Sequence, residues 1–108
     1  MNGALGGAIL ENYVVSEIRK TYLNAGQEPP IWYYRDRDGK EIDLIIEENG
    51  MLHPLEIKRS LNPSSSAANA FAVLDKNTLP RGTGGILCPR QEISAIDGST
   101  LIIPIWLI

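Results

Sequence analysis

Between residues 8 and 23 apolar side chains recur every fourth position, at Leu10, Val14, Ile18 and Tyr22, with Val15 alongside. That spacing predicts a helix with one buried stripe. Asn24-Ala25-Gly26 supplies a helix stop, and Pro29-Pro30 forbids continuation. Residues 1–7 are small and read as a flexible lead-in. Past the prolines the pattern changes. Ile31-Trp32-Tyr33-Tyr34-Arg35 is aromatic and predicts a strand. Asp36-Arg37-Asp38-Gly39 is a turn, since Asp-Gly is a strong hairpin pair. A second strand is expected over 41–47, a turn at Glu48-Asn49-Gly50, and a third strand over 51–59. Residues 60–66 form a polar loop. Ala70, Phe71 and Leu74 give a short helix over 67–75 its apolar side. Residues 84–88 read as a buried strand ending at Pro89, and the apolar tail 101–108 as a late strand or a docked end. The order α-β-β-β-α-β, with a last β segment, predicts an α/β (α+β) domain: a mixed central sheet flanked by helices.

The hairpin register places chemistry on this frame. A two-residue type I′ loop at Asn49-Gly50 sets Glu48 opposite Met51 and Ile45 opposite Pro54. Asp43 then faces Glu56, and Glu41 faces Lys58. Strict alternation projects Glu41, Asp43, Glu56 and Lys58 from one face. Ile42, Leu44, Ile46, Leu55 and Ile57 project from the other. Directly opposed like charges, with Cβ atoms about 4.5–5.5 Å apart, destabilise a sheet. A divalent cation such as Mg²⁺ or Mn²⁺ is the natural compensation, because hard cations take one or two carboxylates plus water. Lys58 can offset the remaining charge, orient a water or stabilise developing negative charge.

A second anomaly lies in the first helix. On a helical wheel Glu11 falls within the apolar stripe, beside Val15, Ile18 and Tyr22. A carboxylate there needs a partner or a metal, and it can join Asp43 and Glu56. Plainer readings compete. The hairpin face can be solvated, with Glu41–Lys58 a surface ion pair of small weight, and Glu11 can sit in a frayed first turn. His53 falls among apolar residues and reads as structural. Trp32, Tyr33 and Tyr34 read as sheet packing in preference to base-stacking platforms. Cys88 reads as a buried strand residue, not a nucleophile.

Composition narrows the class. The chain has 108 residues, enough for one domain, here 8–108. Its net charge of −3 excludes nucleic-acid binding by bulk positive charge. No run of eighteen apolar residues is present, so no membrane partner is expected. No signal-peptide order is visible. The single cysteine precludes an internal disulfide and suits the cytoplasm. Gly82-Thr83-Gly84-Gly85 lacks the lysine of a phosphate-binding loop, so there is no ATP site in this chain.

An acid in the first helix, Asp43 in the second strand and Glu56-Ile57-Lys58 in the third resemble the PD-(D/E)XK nuclease superfamily. Gly7-Ala-Ile-Leu-Glu-Asn-Tyr-Val-Val-Ser-Glu17, Gly39-Lys-Glu-Ile-Asp-Leu44 and Pro54-Leu-Glu-Ile-Lys58 resemble a narrower group. It is the C-terminal domain of unknown function attached to bacterial and archaeal AAA-type P-loop ATPases. The first resemblance implies a restriction-endonuclease-like αβββαβ core. It also implies Mg²⁺-dependent phosphodiester hydrolysis on DNA or RNA. Asp43, Glu56 and the Ile57 carbonyl would then hold the metal, with Glu11 and Lys58 completing the catalytic set and Glu41 tuning Lys58. The second resemblance implies an ATPase partner that is missing from this chain, which would make it a fragment or a shortened gene product. Two other readings stand beside the nuclease. One is a non-catalytic accessory module that binds nucleic acid or protein. The other is self-association, as a homodimer, through the apolar residues 101–108.

Overall fold

A computed structural model describes the backbone of residues 3–108 and the side chains of 8–64 and 66–108. Its architecture is a six-stranded mixed sheet with a helical layer on each face. Helix α1 spans Gly3–Asn24. It starts ahead of the expected 8 and takes in residues 3–7 of the expected lead-in; Met1 and Asn2 lie outside the described residues. Strands β1 (Ile31–Arg35), β2 (Glu41–Glu48) and β3 (Met51–Ile57) form an antiparallel meander. A 3₁₀ segment, Ser65–Lys76, replaces the expected short α-helix. β4 (Gly84–Cys88), β5 (Ser94–Asp97) and β6 (Thr100–Pro104) complete the sheet, in the spatial order β1-β2-β3-β4-β6-β5. β4 runs parallel to both β3 and β6.

The core lies on both sides of the sheet. Val14 and Ile18 of α1 pack with Leu44 and Leu87, with Leu10, Val15 and Tyr22 around them. Phe71 and Leu74 of the 3₁₀ segment pack with Ile42 and Ile45 on the opposite face. Ala68 also packs there, so the apolar residues Ala68, Phe71 and Leu74 recur every third position. A 3₁₀ helix has three residues per turn and stacks such residues in one row. Ser64 caps the segment by accepting the Ser66 N–H at 3.1 Å. The ring of Phe71 can approach the sheet because β4 offers it a glycine. A Cβ on Gly84 would stand 2.9 Å from Phe71 Cε2. Cys88 is fully buried in β4.

The β2–β3 register is the one expected: Glu48 pairs with Met51, Ile45 with Pro54 and Leu44 with Leu55. Asn49 (φ 54°) and Gly50 (φ 75°) both have positive φ, as a type I′ turn requires. β3 ends at Ile57, short of the expected 59. Lys58 still follows the neighbouring strand, donating its N–H to the Leu87 carbonyl at 2.8 Å.

Strict alternation fails on β2. Trp32 pairs with Ile45, but Tyr34 pairs with Ile42. Asp43 and Leu44 therefore stand together opposite Tyr33, which is a β-bulge. The extra residue turns Ile42 onto the 3₁₀ face with Ile45, while Leu44 stays on the α1 face. This corrects the expectation that Ile42 and Leu44 share one face.

The apolar tail divides. Ile102 and Pro104 are buried in β6, whereas Trp106, Leu107 and Ile108 are exposed beyond it. β5 was not expected from the sequence. Among the described residues, no helix is long and apolar enough to cross a membrane.

Candidate functional site

The bulge decides where Asp43 points. The β2–β3 ladder ends at the Leu44–Leu55 pair. Beyond it the Asp43 carboxylate takes the place of a strand acceptor: its Oδ2 accepts the Ile57 N–H at 2.8 Å. Ile57 thus enters the site through its backbone N–H, as the donor to Asp43. Asp43 also lines a cleft of about 250 Å³ together with Glu11 and Asn12 of α1 and with Trp32 and Tyr33 of β1.

Glu56, next in chain to Ile57, leans towards the 3₁₀ layer. It lines a second cleft with Lys40, Glu41, Lys58, Ser66 and Asn69. Asp43 lines the first cleft and Glu56 the second. Burial, then a hydrogen bond to Asp43 and the negative charge of Asp43, push the Glu56 carboxyl up to about 8; Lys58 opposes the shift and Glu11 adds to it. Glu56 thus keeps a proton at neutral pH. Two carboxyl groups sharing a proton is the usual answer when like charges are forced together. The Glu11 carboxyl is also raised, first by burial and then by Asp43 and Glu41, with Arg35 opposing. Glu11, Asp43 and Glu56 therefore share one electrostatic neighbourhood, although they come from three elements.

Lys58 Nζ lies 3.9 Å from Glu56 Oε1, and the lysine side chain is 44% exposed against 13% for the glutamate. Its ammonium is thus held at the rim, near the acids and open to solvent. Glu41 behaves otherwise than expected. Its carboxylate pairs with Arg35 Nε on β1 at 2.9 Å, a cross-strand partner supplied by the Arg35–Glu41 pairing. Glu41 therefore answers to Arg35 in the first place, though it shares the second cleft with Lys58.

The donor set suits a magnesium-sized cation. Among the described residues no three His, Cys, Asp or Glu side chains converge as a ready-made cage. Asp43 and Glu56 supply two carboxylates, and Mg²⁺ is ordinarily bound through one or two carboxylates with water filling the other positions.

Other expectations separate. His53 is structural: its Nδ1 is 2.8 Å from the Thr83 carbonyl, and the ring packs against Gly82. Tyr34 packs against the 3₁₀ cluster as expected. Trp32 and Tyr33 do not: 52% and 77% of their surfaces are exposed. The sequence reading of the trio as sheet packing holds for one of three, because β1 is an edge strand with a bulge opposite it. Arg19, also lining the first cleft, was not singled out; its place two helical turns after Asn12 on the same side of α1 was the available signal.

The chain matches the family described as a domain of unknown function, DUF4143, over residues 6–108. It belongs to that family. No curated protein and no solved structure matches the DUF4143 chain.

Proposed function

We propose that this domain hydrolyses phosphodiesters with the help of a divalent cation. The observation that carries the reading is the Asp43–Glu56 pair. Burial and the neighbouring Asp43 carboxylate push the Glu56 carboxyl up to about 8, and a lysine stands at the rim. Opposed acids of this kind are relieved by a proton or by a bound cation. A bound Mg²⁺ or Mn²⁺ would lower the pKa of a coordinated water and neutralise charge on the phosphate. Asp43 and Glu56 would hold it, with the Ile57 carbonyl as a further oxygen. Asp43 is oriented for this by the Ile57 N–H, which fixes one carboxylate oxygen. Lys58 offers a partly exposed ammonium for the scissile phosphate. Glu11, on the far side of Asp43, is suited to hold a water by hydrogen bonding.

The order α1-β1-β2-β3, the 3₁₀ segment and β4, with the acids on α1, β2 and β3, supports assignment to the restriction-endonuclease-like fold and the PD-(D/E)XK superfamily. The string Glu11-Asn-Tyr-Val-Val-Ser-Glu17 with Gly39-Lys-Glu-Ile-Asp43 supports service to an AAA-type ATPase. The single cysteine supports a reducing compartment such as the cytoplasm.

Nicking of supercoiled plasmid tests the activity. Wild-type protein with Mg²⁺ or Mn²⁺ should nick, and Asp43→Ala and Lys58→Ala should not. Equal cleavage by all three, or none by the wild type, sinks the reading. One observation favours a second reading, a non-catalytic nucleic-acid- or protein-binding module: no third carboxylate joins the pair as a ligand cage among the described residues. Cation binding in a calorimeter without cleavage of any DNA or RNA would select it.

A further inference from the structure

β1 ends the sheet, so one of its sides has no neighbouring strand. Glu47 donates its N–H to the Pro30 carbonyl at 3.0 Å, and Asp36 donates to the Lys40 carbonyl at 3.0 Å. Between these two bonds Trp32 pairs with Ile45, and Tyr34 with Ile42. In an antiparallel ladder, residues that bond to the partner strand alternate with residues that turn the same groups away. Trp32 and Tyr34 therefore bond to β2, while Ile31, Tyr33 and Arg35 present their N–H and C=O groups to the free edge. Side chains alternate as well. Trp32 and Tyr34 line a groove on the 3₁₀ face with Val73 and Leu74, and Tyr33 projects to the α1 face.

Sheets ordinarily blunt a free edge with a charge, a proline, a bulge or a short strand. The opposite edge follows that rule: β5 has 4 residues and ends on the charge of Asp97. β1 does not. The bulge beside it lies in β2. Its one charge, Arg35, is already paired with Glu41 at 2.9 Å, and Trp32 and Tyr33 are 52% and 77% exposed. The strand is also complementary to itself. In an antiparallel pair of β1 strands centred on Tyr33, Ile31 of each copy meets Arg35 of the other, and every outward N–H finds a carbonyl. Trp32 of each copy then stands opposite Tyr34 of the other on the 3₁₀ face, and Tyr33 meets its own counterpart on the α1 face. Cross-strand aromatic pairs stabilise a sheet, and no like charges are opposed, since Arg35 meets Ile31. Pairing β1 with β5 of another copy would leave free edges and grow without end, whereas β1 with β1 closes.

We propose that two copies of the chain pair antiparallel through β1, about a two-fold axis at Tyr33, and so extend one sheet across both. The pairing does not depend on the phosphodiesterase reading. The exposed parts of Trp32 and Tyr33 leave roughly 250 Å² per copy to be covered, against about 800 Å² per partner in a stable interface of standard size. The dimer is therefore weak and forms as concentration rises. Ile31 and Tyr33 also line the cleft that holds Glu11 and Asp43, so the second copy brings its own Tyr33 to the border of that cleft.

The test is sedimentation equilibrium of the full chain from about 5 to 500 μM, the range suited to a small interface. The wild-type mass should rise from that of a monomer towards that of a dimer. Tyr33→Lys and Tyr33→Glu each set like charges face to face on the axis, and each should weaken association at least about tenfold. Tyr33→Phe should still associate. An equimolar mixture of Tyr33→Lys and Tyr33→Glu should dimerise again, because the axis then joins opposite charges. Circular dichroism and thermal unfolding establish that the variants fold, as the exposure of Tyr33 leads one to expect. A wild type that stays monomeric at the highest concentration overturns the pairing. So does a dimer that survives both charged substitutions, which would put the contact elsewhere, as at the apolar residues 101–108. A mixture that fails to associate overturns it too, since restoration requires residue 33 of one copy to face residue 33 of the other.

Discussion

Asp43 accepts the backbone N–H of Ile57 at 2.8 Å, and so a side chain closes the ladder that two strands leave open. The same residue carries negative charge into the cleft and holds β3 in place. Removing it should therefore have two separable effects. Asp43→Ala leaves a part-buried N–H without its acceptor, at a cost of about 1–3 kcal/mol, readable by urea unfolding. Asp43→Asn keeps a carbonyl for Ile57 and should lose much less stability. Both variants should lose metal-dependent cleavage. Cleavage by Asp43→Asn at the wild-type rate would show that the charge is not needed.

Glu56 makes stability depend on pH. Its carboxyl is raised to about 8 in the folded chain from an ordinary value of 4.5. Between those values the folded state binds the proton and the unfolded state does not. The contribution is therefore fully present below 4.5 and is lost as pH rises through about 8. The slope is at most about 1.4 kcal/mol per pH unit. Denaturant midpoints in EDTA should fall across this window, and Glu56→Gln should flatten the fall.

Metal binding should run against the same proton. A cation held by Asp43 and Glu56 must displace it, so apparent Mn²⁺ affinity should rise with pH until about 8 and then level. Below that point the rise should approach about tenfold per pH unit. Calorimetry in two buffers of different ionisation enthalpy should show release of a proton at pH 7, and Glu56→Gln should abolish it. Mn²⁺ binding without proton release would place the metal elsewhere.

Lys58 stands at the rim, outside the packed core, and its role is electrostatic. Lys58→Met keeps the aliphatic stem and removes the ammonium. The expected loss in cleavage rate is about 10²–10³-fold, with an unchanged melting temperature. A drop in melting temperature equal to that of Asp43→Ala would instead make Lys58 a structural partner of Glu56.

Gly84 tests the packing beneath the site. A Cβ there would lie 2.9 Å from Phe71 Cε2 and 3.2 Å from the Pro54 carbonyl oxygen. Gly84→Ala should destabilise by about 1–3 kcal/mol. Adding Phe71→Leu should not double that loss, because the smaller side chain relieves part of the clash. Strict additivity of the two in thermal unfolding would refute the contact.

What the sequence disclosed follows the range of each interaction. Asn49-Gly50 dictates a local turn, and the turn dictates the β2–β3 register, so Asp43 and Glu56 could be brought together on paper. The bulge at Asp43-Leu44 depends on pairing with β1 across a longer loop, and nothing local announces it. Glu11 was legible because a charge in an apolar stripe is conspicuous. The exposure of Trp32 and Tyr33 was not, since an aromatic strand reads alike whether central or at an edge. β5 went unseen because Ser94–Asp97 alternates only weakly, though Asp97-Gly98 offered a turn. The 3₁₀ geometry was hidden because a spacing of three fits either helix over so short a span.

The two-residue turn between β2 and β3 also bears on how the molecule assembles. Loop closure across so few residues loses little chain entropy, and hairpins form within microseconds. Asp43 and Glu56 can therefore meet early, before β4 slides between β3 and β6 from far along the chain. Glu11 arrives only when α1 docks. A nascent chain would carry the acid pair as a local unit well before it owns a finished cleft.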